Sequence, residues 1–231
     1  MAFLSDTIKK NLEAVEARIE TALKVSLRNR SGLTLIAVSK RQPLAVVEAA
    51  HGLGLNHFGE NQIQEGVPKV SAAPDDITWH FIGRLQKNKV RKAVNHFRFL
   101  HSIDSLSLLQ RVDNVSGEER VKPKVLLQVN YALDPDKQGL HPDAVAPVLE
   151  AGLSMKNLTC IGLMGIPPLS ANADHIQSYF NGLAGLRDDL KTRFPDWPGK
   201  LSMGLSGDLE IAIKCGANYV RVGSALLGER H

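Results

Sequence analysis

Between Phe3 and about Arg28, the residues Leu4, Ile8, Leu12, Val15, Ile19 and Leu23 recur at helical spacing with charges between them. That spacing predicts an amphipathic helix with one face laid on a core. After Ser31 and Gly32 the pattern becomes a nearly continuous apolar run, Leu33 to Val38, as expected for a short strand buried on both faces. Further strand-like runs follow at Asn56 to Phe58, Thr78 to Ile82, Phe99 to Ile103, Lys124 to Val129, Leu158 to Met164, Leu201 to Met203 and Tyr219 to Val222. Helical patterns lie between them, beginning near Pro43, Asn61, Lys87, Ser105, Pro142, Asn172 and Leu209. Several of these open with the Pro, Ser or Asn that suits a first turn or an N-cap. Eight short strands alternating with helices predict an α/β fold, a single (β/α)8 TIM barrel over residues 1–231 with an extra N-terminal helix within 1–30. An open doubly wound sheet is the alternative, because periodicity does not report whether a sheet closes.

Composition narrows the class. The 231 residues are 43% hydrophobic, enough for one sizeable core, and the net charge of +4 is a small difference between 28 basic and 24 acidic residues. A polybasic surface is not implied, so nucleic acid is not an expected partner. Cys160 and Cys215 have neither CxxC nor metal-ligand spacing, and no HExxH or similar pattern is present; no metal is expected, and a reducing compartment is. No apolar run approaches a membrane span or a signal peptide, so the expected location is the cytoplasm.

In a β/α barrel, chemistry gathers at the C-terminal ends of the strands. The first strand ends in Ala37, Val38, Ser39 and Lys40, which places an amine at the barrel mouth. An amine held against apolar walls is pushed toward its neutral, nucleophilic form, as imine formation with an aldehyde requires. Taken alone, the segment favours a lysine that merely snorkels to solvent. The last strand runs into Gly223, Ser224 and Ala225 and a short helical segment, and the seventh into Gly204, Leu205, Ser206, Gly207 and Asp208. Both turns offer amides and hydroxyls to a phosphate; both also read as ordinary turns, the second with an Asp208 cap. Glu60 is read as a helix cap, His80 as a satisfied core histidine and Met164 as a gap filler. The stretch Arg84, Lys87, Lys89, Arg91, Lys92 reads as a solvated helix face, and Lys137 as a loop lysine near the mouth.

Six stretches, LIAVSK ending at Lys40, HFGENQIQE from His57, WHFIGRLQKNK from Trp79, GLMGI from Gly162, LSMGLSGD from Leu201 and YVRVGSALLGER ending at Arg230, together resemble the pyridoxal-phosphate homeostasis protein family. The fold of that family is similar to the barrel domain of alanine racemase. The resemblance implies that Lys40 carries pyridoxal 5'-phosphate (PLP) as an internal aldimine, that Ser206, Gly223 and Ser224 ligate the phosphate, and that Asn61 and Arg221 border the ring. Arg84, Leu205 and Gly207 depart from the commonest family pattern, the last two within the phosphate loop.

The resemblance also implies a carrier rather than an enzyme, with no catalytic residues assigned. By the same resemblance Arg221 is expected near the pyridine nitrogen, where it would disfavour protonation and weaken the electron sink. No counterpart of the domain that supplies an opposing tyrosine in alanine racemase is expected in this chain. The expected partners are PLP and apo PLP-dependent enzymes as recipients, and the expected state is a monomer, with Lys137 as a second imine site for transfer. The rival readings are a small PLP-dependent amino-acid racemase and a barrel enzyme acting on a phosphorylated substrate through Lys40.

Overall fold

A computed structural model describes residues 2–168 and 171–229, so Arg230, the end of the last matching stretch, lies outside the described residues. Helix α1 (Ala2–Val25) precedes β1 (Thr34–Val38). The chain then runs α2 (Leu44–His51), β2 (His57–Glu60), α3 (Ile63–Ala72), β3 (Thr78–Phe81), α4 (Val90–His96) and β4 (Phe99–Ile103). It continues through α5 (Leu106–Glu119), β5 (Lys124–Gln128), α6 (Pro142–Ser154), β6 (Thr159–Met164), α7 (Ala173–Arg193), β7 (Lys200–Ser202), α8 (Leu209–Lys214), β8 (Tyr219–Val222) and α9 (Ser224–Leu227). The strand boundaries expected from the sequence are met within one or two residues.

Consecutive strands pair in parallel, and β8 returns to pair with β1 from Thr34↔Tyr219 to Ala37↔Val222. The sheet is therefore a closed eight-stranded barrel, which removes the open doubly wound alternative. Local sequence sets the helix starts: the Ser105 hydroxyl accepts from Leu108 N–H at 3.3 Å, Asn172 Oδ1 accepts from His175 N–H at 2.9 Å, and Pro142 occupies the first turn of α6. Two cap readings need correction. Glu60 caps no helix, because its carboxylate is engaged by Ser39 and Lys69. Asp208 occupies the N-cap position of α8 but makes no side-chain bond into that helix, accepting instead from the upstream Leu205 N–H.

Strand side chains sort by a period of two. Leu35, Ala37, Phe58, Trp79, Phe81, Leu201, Met203, Val220 and Val222 belong to one large apolar cluster shared with the helices. A separate cluster of Phe99, Leu126, Ile161 and Met164 has Ile166 and Tyr219 packed against it. The predicted N-terminal helix lies on α2, α8 and α9, with Ile8, Val15, Ile19 and Leu23 buried. Full burial of such side chains stabilises by about 1.5–3 kcal/mol each.

Candidate functional site

The period of two that buries Ser39 against the helices turns the next side chain, Lys40, toward the mouth of the barrel. Buried charges hold that strand end in place. Ser39 Oγ donates to Glu60 Oε1 at 2.6 Å, and Lys69 Nζ donates to the same oxygen at 2.6 Å and to Ser39 O at 2.9 Å. Lys69 also reaches Glu65 at 3.1 Å, whose Oε1 accepts from Arg41 N–H at 2.5 Å, so the residues on both sides of Lys40 are fixed. Burial pushes the Glu60 carboxyl above its ordinary value, opposed by its bonds to Lys69 and Ser39. Lys69 escaped the sequence reading; only its i,i+4 spacing from Glu65 was visible.

Lys40, Asn61 and Arg221 line one cavity of about 410 Å³, together with Arg84, Gln128, Asn130, Asp136, Lys137 and Leu205. It lies at the C-terminal ends of the strands and falls in the size range of small-molecule sites. Asn61 is held by a close approach: a Cβ at Gly83 would stand 2.0 Å from Asn61 O, so only glycine fits, and the Ser102 hydroxyl donates to Gly83 O. Arg221 is buried; its guanidinium donates to Ser202 Oγ at 3.1 Å and Gly165 O at 3.0 Å. Burial pushes its pKa down to about 10, opposed by Asp208 and Tyr179, so it is cationic at neutral pH. Lys137 is half-buried and donates to Pro167 O at 2.5 Å, and burial lowers its pKa against the opposing pull of Asp134. The ionisable lining is thus four cations and one carboxylate, a setting for an anionic ligand. Arg84 stands at this cavity, not on a helix face; Lys87, Arg91 and Lys92 are exposed as expected.

Ser206, Gly223 and Ser224 do not line the cavity. They sit on the turns after β7 and β8, neighbouring strands of the barrel. Gly204 has φ +95° and opens the first turn, where a Cβ would meet Ala212 Cβ at 2.5 Å. In the second, Leu226 and Leu227 N–H donate to Gly223 O, leaving the amides of Ser224 and Ala225 ahead of the first helical bonds. Helix α1 ties down the first turn and the short helix α9 that follows the second, which sequence reasoning missed. Arg18 donates to Ser206 O at 2.8 Å and pairs with Glu210 at 2.6 Å, while Asn11 Nδ2 donates to Leu226 O at 3.2 Å.

Met164 is buried in the barrel interior and His80 is hydrogen-bonded on both ring nitrogens, as the sequence reading had them. A larger cavity of about 640 Å³ lies at the opposite end, at the N-terminal ends of β5 to β7 beside Phe194 and Trp197. None of the residues singled out by strand-end position line it. Cys160 does, with its thiol pushed up to about 12 by burial. No helix among the described residues is long and apolar enough to cross a membrane, and no group of three or more potential metal ligands is found among them.

The family described as alanine racemase, N-terminal domain, matches residues 10–231. The pyridoxal phosphate homeostasis protein of Pseudomonas aeruginosa is 39% identical over 225 residues, 97% of this chain and 96% of that protein. PipY of Synechococcus elongatus, solved with PLP bound, is 36% identical and superposes with a TM-score of 0.84 over 96% of this chain and all of its own. Alanine racemase of Clostridium difficile shares only the fold: 13% identity and a TM-score of 0.76, over 96% of this chain and 56% of that one. With the family matched over residues 10–231 and full-length relatives above 30% identity, this chain belongs to the alanine racemase N-terminal-domain family, among its pyridoxal phosphate homeostasis proteins.

Proposed function

We propose that this protein binds PLP in the C-terminal cavity, with Lys40 as the point of covalent attachment, and serves PLP homeostasis as a carrier rather than as an enzyme. The observation that carries this reading is the convergence of Lys40, Asn61 and Arg221, from the ends of three different strands, on one cavity of about 410 Å³. Its cationic lining fits a ligand that carries a phosphate and a phenolate. When bound, PLP supplies an aldehyde carbon for an amine to capture.

In this reading Asn61 and Arg221 border the ring, and Ser206, Gly223 and Ser224 hold the phosphate. Two neighbouring turns with exposed amides support the phosphate assignment. A guanidinium that stays cationic presents only donors to the ring, which supports a cofactor kept as a weak electron sink. Lys137, a second amine in the same cavity, receives PLP on its way to an apo-enzyme. The carrier acts as a monomer in the reducing cytoplasm, in keeping with the free thiols Cys160 and Cys215.

The test is the visible spectrum of the wild type and of Lys40→Ala after PLP is added and excess removed, followed by borohydride reduction and mass mapping. A band in the wild type, with the reduced adduct on Lys40 and lost in the variant, is expected. No band in either protein would sink the PLP reading and leave a barrel acting on a phosphorylated substrate. Spectral change with turnover on adding amino acids would favour the racemase. Lys137→Ala is expected to slow PLP transfer to an apo-enzyme several-fold; an unchanged rate removes Lys137 from the scheme.

A further inference from the structure

A hydrogen-bonded column crosses the inside of the barrel and ends on the cavity. His57, the first residue of β2, is half-buried beside a cleft of about 380 Å³ at the N-terminal end of the barrel. Its Nδ1 lies 2.9 Å from His80 Nε2, His80 Nδ1 lies 2.9 Å from His101 Nε2, and His101 Nδ1 lies 2.9 Å from Ser202 Oγ. Arg221, which lines the cavity, donates to the same Ser202 hydroxyl. His80, His101 and Ser202 are fully buried, and His80 is stacked on Phe99 with centroids 4.3 Å apart.

The donors and acceptors along this column fix its direction. Arg221 can only donate, so Ser202 Oγ accepts from it. The single hydroxyl hydrogen must then find an acceptor. Among the described residues, the only other group hydrogen-bonded to Ser202 Oγ is His101 Nδ1. His101 therefore carries its proton on Nε2 and donates to His80 Nδ1. His80 in turn carries its proton on Nε2 and donates to His57 Nδ1. The opposite direction would leave the buried Ser202 hydrogen without an acceptor. Burial keeps both inner imidazoles well below the ordinary histidine pKa, in agreement with neutral rings.

We infer that His57, His80, His101 and Ser202 are positioning residues, a one-directional relay of neutral Nε2–H imidazoles that presents a lone pair to Arg221 and so holds its guanidinium at the cavity. A proton on His57 Nδ1 would oppose this direction, because each ring behind it would have to exchange tautomers and Ser202 would have to turn its hydrogen toward Arg221. The N-terminal end of the barrel is thereby coupled to the cavity. Among the described residues, the charged and titratable groups around the column are Arg98, Glu16 and Arg30 near His57, Tyr219 and Arg221 near the inner rings, and Lys124, whose ammonium lies 5.3 Å from the centroid of the Phe99 ring that stacks on His80. The role in holding Arg221 for PLP rests on the proposed function; the relay itself does not.

Imidazole 15N NMR of the cofactor-free protein tests it, so that a failure here is separate from a failure to bind PLP. His80 and His101 are expected to show protonated Nε2 and bare Nδ1, unchanged between about pH 5 and pH 8. A protonated Nδ1 on either ring in the wild type would overturn the relay with no variant needed. Ser202→Ala keeps the Arg221 charge but removes the direction-setting hydroxyl. It is expected to move both His101 nitrogens to averaged positions and to raise the His57 midpoint by up to about one pH unit. Unchanged tautomers and an unchanged His57 midpoint in Ser202→Ala would equally overturn it.

Discussion

Outside the barrel, alternate strand residues and the helices share one large apolar cluster, with Phe58, Phe81, Leu100 and Phe180 at 0% exposure. Inside it, among the described residues, Phe99, Leu126, Ile161 and Met164 form a small buried apolar cluster, and they share the space with His80, His101, Ser202 and Arg221. The two regions have different tasks. The shell holds the fold by burying apolar area, which is tolerant of residue order. The interior spends that advantage on polar groups, each of which must be satisfied in one direction. What the contrast teaches is that the interior is a hydrogen-bonded polar structure that runs up to the cavity, and the shell is its support.

The largest expected effect lies in the shell. Phe58→Ala or Phe180→Ala should cost about 3–5 kcal/mol in chemical denaturation. The imidazole tautomers of whatever remains folded should be unchanged. If these truncations reset the tautomers, the two regions are not separable.

Acid separates the regions next. His80 and His101 are held neutral when folded but take up protons in the unfolded chain below the ordinary value of 6.5. Their contribution is therefore fully present above about pH 6.5 and lost as pH falls below it, by up to ~1.4 kcal/mol per pH unit for each ring. Unfolding measured from about pH 7 down to about pH 5 should show this slope, and His80→Phe should reduce it by one proton. A slope unaffected by the substitution would assign acid sensitivity to the shell or surface instead.

The smallest effect concerns Arg18, which joins helix α1 to the turn proposed to hold the phosphate. Its pair with Glu210 is about one-third exposed on both sides, at 35% and 36%, so Arg18→Ala should cost under ~1 kcal/mol of stability. PLP affinity, read by absorbance titration, should nevertheless fall a few-fold as the Ser206 turn loosens. Unchanged affinity would mean that α1 supports the fold alone.

Much of this was legible along the chain. The apolar run Leu33 to Val38 set the strand and put Lys40 just past its C-terminal end, where a barrel has its mouth. Ser105, Pro142 and Asn172 marked helix starts because capping is a contact within one turn. The turns holding Ser206, Gly223 and Ser224 were visible as Gly and Ser positions after strands. His80 was recognised as a satisfied buried histidine, but not as one link among four, since its partners lie on β2 and β4.

By itself, then, the sequence determined the order and type of elements, the strand-end position of Lys40 and, by resemblance, the family. Those features depend on local periodicity, on capping and on stretches matched in order. Only the tertiary structure decided that β8 closes on β1, that Lys69 neutralises Glu60, that Arg18 reaches the turn at Ser206 and that His101 meets Ser202. These contacts join residues that no local rule relates, the last two lying 188 and 101 positions apart. Barrel closure brings them within hydrogen-bond distance, and burial then makes each bond obligatory, because an unpaired polar group there has no water to turn to.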